Sequence, residues 1–220
     1  MGKKFYTINM TQKNDIYINL GLFGDVTFVR ENEKAGALPL ALRDIDEKFS
    51  SIIVVRPENS AKSLSDLKGS RFMFGSKLST SGHLIPRYFM SLNNIKPENF
   101  FGSVDFNGAH NKTILSVING HSDAGVTNYR IIEEILLDGR IHKRKIRASR
   151  ESPTYTDYIW SAQETMDIIS REKLINALLS LTLYKPETKT ILESVKSNHY
   201  LPESIENFQQ PKQIALKMGI

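Results

Sequence analysis

Ser79, Thr80 and Ser81, followed by Gly82 and an apolar-periodic segment, are the clearest chemical signal in this chain of 220 residues. A loop so composed delivers hydroxyls and free backbone amides to one point at the start of a helix. Helix N-termini carry unpaired N–H donors and a partial positive charge, so such a point attracts oxyanions. One hydroxyl satisfies an ordinary N-cap; three in a row favour a site for a small anion. The chemistry indicated is binding rather than bond-making. There is no G-x-S-x-G elbow, no P-loop and no H-E-x-x-H pair. Ser81 and His110 have no orienting acid at a convincing position, so no catalytic residue is assigned. His121, His142 and His199 lack metal-ligand spacing and are read as surface residues, and no metal or cofactor is expected.

The elements that must position these residues follow an α/β order. Residues 51–56 form a short apolar run rich in β-branched side chains, the pattern of a buried strand. Residues 63–69 are read as a short capped helix ending at Gly69, and 71–75 as a second strand leading into the Ser/Thr loop. After the loop, Leu84, Ile85, Tyr88, Phe89 and Leu92 fall on one helical face. Proline costs little only in a first helical turn, so Pro86 predicts a helix starting near His83, with Ser79–Ser81 just outside it. A second unit repeats the plan: His110 opens a helix that stops at Gly120, and 123–126 form a strand ending in Thr127 and Asn128. Strand–loop–helix units suggest parallel strands with ligands at their carboxyl ends, so His110 and the Ser/Thr loop are expected to face one cleft. Further on, Leu174, Ile175, Leu178 and Leu179 mark an amphipathic helix, and Ile191, Leu192 and Val195 mark another after Pro186. From Pro202 the chain reads as loop with a short helix near its end.

Composition bounds the partners. Apolar residues make up 40% and charged residues 24% of the chain, an ordinary globular balance. No apolar run approaches the roughly 20 residues that span a bilayer. Cysteine is absent, which excludes disulfides, thiolate metal sites and a lipid-modified cysteine in this chain. The net charge of +5 suits an anionic ligand. The densest basic run, 140–147, could meet nucleic acid, but Ile141 and Ile146 within it fit a charged edge strand better. No nucleic-acid partner is expected.

Several segments in order resemble the phosphate/phosphite/phosphonate-binding proteins of ABC transporters. They are Ser-Leu-Ser-Asp-Leu-Lys-Gly at 63–69, Ser-Thr-Ser-Gly-His-Leu-Ile-Pro at 79–86, Asn-Phe-Phe-Gly-Ser-Val at 99–104, His110, 119–128, and Glu-Ser-Pro-Thr-Tyr-Thr-Asp-Tyr at 151–158. The resemblance covers roughly residues 15–180. It implies a two-lobed type II periplasmic-binding-protein fold with mixed, mostly parallel sheets that closes on its ligand. Lobe 1 would be residues 1–50 and 155–220, and lobe 2 residues 51–154 with the oxyanion loop. The loop hydroxyls of Ser79, Thr80 and Ser81 and the His110 ring would hold the phosphonate oxygens. Thr127 and Asn128 would sit near the cleft, and Asp157 would bind the substituent of amine-bearing ligands. Read from the residues alone, Tyr155, Tyr158 and Trp160 beside it form either an aromatic cleft wall or core packing after a strand, with the cleft slightly favoured. The partner implied is the membrane subunit of an ABC transporter.

Two departures from the pattern set further expectations. The family begins with an export signal and about fifty further residues, so the chain reads as truncated, with an incomplete lobe 1. An aspartate and an aromatic residue expected near Gly24 are matched instead to Asn19 and Phe28. Resemblance places the protein in the periplasm, whereas a genuine start at Met1 without a signal peptide places it in the cytoplasm. The alternative function is accordingly a non-transporting cytoplasmic remnant or ligand-sensing module.

Overall fold

The computed structural model describes residues 20–218. In chain order the elements are β1 (Leu20–Gly24), α1 (Asp25–Ala35), β2 (Leu38–Arg43), α2 (Asp44–Glu47), β3 (Ser51–Val55), β4 (Arg71–Phe74) and α3 (Ile85–Leu92). Then come α4 (Pro97–Phe100), β5 (Ser103–Phe106), α5 (His110–Ile118), β6 (Ala124–Asn128), α6 (Tyr129–Leu137), β7 (Arg147–Glu151) and β8 (Tyr158–Ala162). The last are α7 (Ile168–Leu179), α8 (Pro186–Ser194), β9 (Tyr200–Pro202) and α9 (Gln209–Met218). The chain separates into two compact units, residues 1–49 with 156–220, and residues 50–155.

In the first unit the sheet order is β1-β8-β2-β9, and each neighbouring pair is antiparallel. Strands β1 and β2 run the same way, as a strand–helix–strand passage through α1 requires, but β8 inserts between them. The expectation of mostly parallel sheets therefore does not hold in this unit. Phe28, matched from sequence to an aromatic near a binding loop, is instead fully buried, its ring 4.4 Å from that of Phe208. Asn19 lies outside the described residues, as does the segment on which the truncation reading rests.

The second unit has five strands in the order β5-β4-β6-β3-β7. Pairs β4–β5 and β4–β6 are parallel, joined through helical crossovers as parallel pairs must be. Strand β3 runs antiparallel to both β6 and β7. Its five residues are all buried because both faces are covered. Ile53 and Val55 pack into a cluster with Phe72, Phe74 and Met90, while Ile52 and Val54 pack with Ile114, Val117, Ile132 and Ile135. The basic run lies against the second cluster, with Ile141 and Ile146 buried and β7 following as the edge strand. Arg147 is tied to the carbonyls of Asn59 and Ala61, and Arg140 to Asp138 and Glu134, so these cations have local structural partners.

Candidate oxyanion site

Strand β4 delivers the chain into the loop through Gly75, whose N–H donates to Gly82 O at 2.9 Å. Ser79 has an extended backbone and caps the following turn, its Oγ accepting the Gly82 N–H at 3.0 Å. Thr80–Leu84 then form a π turn that runs directly into α3: the Leu84 N–H reaches Ser79 O at 3.0 Å, and the Ile85 N–H reaches Thr80 O. The helix thus starts earlier than Pro86 predicts, and Thr80 and Ser81 lie inside its first turn. A proline is tolerated at that depth because i→i−5 pairing leaves it opposite Ser81 O, and that carbonyl is served from β3 by Ser51 Oγ at 2.8 Å.

His110 is the first residue of α5, after Ala109 in extended conformation. Its ring comes directly against the turn. A Cβ built on Gly82 would stand 3.1 Å from His110 Cε1 and 2.9 Å from Ser79 Oγ, so only glycine leaves room for both. Helix α5 comes equally close to β6, where a Cβ on Gly125 would stand 2.6 Å from Thr113 Cγ2. The π turn packs on β6 as well, and Ser51, which bonds the turn, is registered opposite Asn128 at the end of that strand. The loop hydroxyls, His110 and Thr127 are therefore gathered within one unit.

Four buried polar atoms in this unit have no hydrogen-bond partner among the described residues: Thr80 Oγ1, Thr127 Oγ1, His110 Nδ1 and Asn107 Nδ2. Each such orphan costs about 1–3 kcal/mol unless something satisfies it. The His110 ring is half-buried, its Nδ1 fully enclosed, and desolvation pushes its pKa down from 6.5 to about 4. It is therefore neutral at pH 7 without a ligand, and the site offers oriented dipoles rather than a formal charge. Asn128 is committed differently from Thr127, since its Oδ1 accepts the Ile131 N–H at 3.0 Å and caps α6.

His83 supports the turn from outside. Its Nε2 accepts from Arg87 Nε at 2.9 Å, which makes Nδ1 the donor to Lys77 O at 2.7 Å. Its ring packs edge-on to Phe74 and Phe106, and burial lowers its pKa.

Asp157 belongs to the other unit. It is buried, and its N–H donates to Asp46 O at 3.1 Å. Asp46 is held by Arg43 through contacts of 2.6 and 2.9 Å. Asp25, a neighbouring acid that sequence reading missed, begins α1 directly after Gly24 and is buried with Oδ1 unpartnered among the described residues. Burial first, then the charges of Asp157, Glu203 and Asp46, hold its carboxyl well above the usual range. The expected aromatic wall divides. Tyr155 hydrogen-bonds Ser51 at 2.7 Å, Tyr158 packs edge-on to Phe49, and Trp160, like Leu178, Leu179 and Leu181, packs against the cluster of Ala41, Leu192 and Tyr200. Trp160 is core packing, as a half-buried strand residue facing two helices must be.

These features place the chain in a class of anion-binding α/β proteins. Residues 15–208 match the family described as the phosphonate periplasmic substrate-binding protein of ABC transporters. The chain belongs to that family, whose members serve in transport as solute-binding components. It is similar to the probable ABC transporter phosphite-binding protein PhnD1 of Prochlorococcus marinus (strain MIT 9301), with 29% identity over 214 residues, covering 92% of this chain and 72% of the relative. The structure of PhnD1 in complex with methylphosphonate superposes with a TM-score of 0.83 at 27% identity, covering 92% of this chain and 79% of that one. The binding component of a Pseudomonas aeruginosa ABC phosphonate transporter shares the fold, with a TM-score of 0.80 at 18% identity, over 92% of this chain and 69% of that one.

Proposed function

We propose that Ser79, Thr80, Ser81, His110 and Thr127 hold the oxygens of a phosphonate, phosphite or phosphate anion, for delivery to an ABC transporter membrane subunit. The observation that carries this reading is that Thr80 Oγ1, Thr127 Oγ1 and His110 Nδ1, which lie at the starts of α3, α6 and α5 within one unit, are buried and have no hydrogen-bond partner among the described residues. Asn128 contributes at most its amide NH2, because its carbonyl oxygen is used as a cap. Asp157 is assigned to a cationic substituent, since a buried carboxylate among other acids favours a cation. The role assigned is binding, in keeping with the family's description as substrate-binding proteins. The compartment is the periplasm, in keeping with the family's description.

Titration calorimetry with methylphosphonate, phosphite, phosphate and 2-aminoethylphosphonate tests the reading. Ser81→Ala is expected to weaken binding of the preferred ligand about 10- to 100-fold, the worth of a hydrogen bond to a charged group. Asp157→Asn should weaken 2-aminoethylphosphonate while sparing methylphosphonate. Failure of all four ligands to bind a folded protein would end the assignment, and recovery of the native protein solely in the cytosolic fraction would end the periplasmic one.

A further inference from the structure

We propose that Ser51, supported by Tyr155, is a positioning residue of the oxyanion turn, replacing by its hydroxyl the backbone donor that Pro86 lacks. The proposal rests on the reading of that turn as the anion site and concerns what holds it in shape.

The geometry is a relay of three buried groups. Ser51 Oγ lies 2.8 Å from Ser81 O and 2.7 Å from Tyr155 Oη. A hydroxyl has one proton, and a carbonyl can only accept, so Ser51 donates to Ser81 O. The Tyr155 hydroxyl must then donate to Ser51, and each bond polarises the next. The need for the relay follows from the π turn. Pairing runs Leu84 to Ser79 and Ile85 to Thr80, and the next donor in the series is residue 86, a proline. Without Ser51 the Ser81 carbonyl would be buried and unpaired, and the peptide following Ser81, whose N–H is capped by Ser79, would lose its anchor. Ser51 is itself fixed on both sides by backbone: its N–H donates to Ser152 Oγ at 3.0 Å, and its carbonyl accepts the Ser152 N–H at 2.8 Å. Ser152 and Tyr155 thus act in the same place, behind the oxyanion turn. This gives part of the 151–158 segment a role distinct from touching ligand.

The test uses the full chain and two readouts, methylphosphonate affinity by calorimetry and amide hydrogen exchange over residues 80–85 in the ligand-free protein. Ser51→Ala is expected to weaken binding at least 10-fold and to speed exchange over 80–85, while β4 and β5 keep their protection. Tyr155→Phe, which leaves the Ser51–Ser81 bond in place, should cost less, about 2- to 5-fold. Ser51→Thr should restore both readouts. Ser51 borders a cavity of about 140 Å³ lined also by Pro86, Phe89, Met90 and Val126, which leaves space for the added methyl. Native affinity and native exchange in Ser51→Ala would overturn the proposal, as would uniformly raised exchange that Ser51→Thr fails to correct. If the unaltered protein binds no phosphonate, the functional reading falls, and the exchange measurement still decides whether Ser51 holds the turn.

Discussion

At the scale of single residues, His110 decides how the proposed site would meet a negative charge. Its enclosed Nδ1 and lowered pKa of about 4 mean that the empty site is uncharged at that position at neutral pH. A bound anion favours the protonated ring and raises its pKa. The complex then takes up a proton that the empty protein does not, so affinity due to His110 grows as pH falls from 7 towards 5. Protonation of the ligand itself acts in the opposite sense and must be removed from the comparison. The expected observation is that the ratio of native to His110→Gln affinity for methylphosphonate rises over that interval. A constant ratio would show a neutral ring in both states. The position of this histidine at a helix start was legible in sequence, at the place equivalent to the Ser/Thr loop. Its charge state was not, since desolvation depends on what packs around Nδ1.

Among the elements, the two helices that carry the proposed site are set by glycines that permit close approach. Gly82 lets α5 bring His110 onto the π turn, and Gly125 lets the same helix settle on β6. Gly82→Ala is expected to displace either the Ser79 cap or the His110 ring and to weaken phosphonate binding at least 10-fold, with a modest loss of stability of about 1–3 kcal/mol. Gly125→Ala should cost stability on a similar scale, ~1–3 kcal/mol, because its contact is with a buried threonine methyl on a packed helix. Thermal unfolding and calorimetry on both variants separate the two effects; native affinity in Gly82→Ala would show that the turn has slack. Element positions followed from periodicity and punctuation. The apolar run at 51–56 became β3, and the hydrophobic spacing after Pro186 became α8. The start of the loop helix did not follow, because proline rules assume α-helical pairing and the acceptor left by Pro86 is satisfied from a strand some 30 positions earlier in the chain. Nor did sheet order, since insertion of β8 between β1 and β2 is a long-range choice that local patterns do not encode.

For the molecule as a whole, two desolvated titratable groups, the half-buried His110 and the buried Asp25, give stability opposite slopes with pH. His110 has a folded pKa below its unfolded one, so its contribution is present above pH 6.5 and is lost as pH falls towards 4; the full difference is about 3 kcal/mol. Asp25 has a folded pKa above its unfolded value. Its contribution is present below the usual carboxylate range and is lost as pH rises through its folded pKa, where burial and the neighbouring acids oppose its charge. Sequence reading passed over Asp25 because an aspartate at a helix start is ordinary; only tertiary packing encloses it beside other carboxylates. Asp25→Asn keeps the shape and removes the charge, so it is expected to stabilise the protein at pH 7.5 by on the order of 1–3 kcal/mol, with the gain vanishing near pH 4. Denaturant unfolding across that range provides the measurement. A gain that persists unchanged at pH 4 would mean that the amide acts through new hydrogen bonds. No gain at pH 7.5 would mean that Asp25 carries its charge there without cost, and that the acidic surroundings of Asp157 are better compensated than the buried carboxylates of this unit imply.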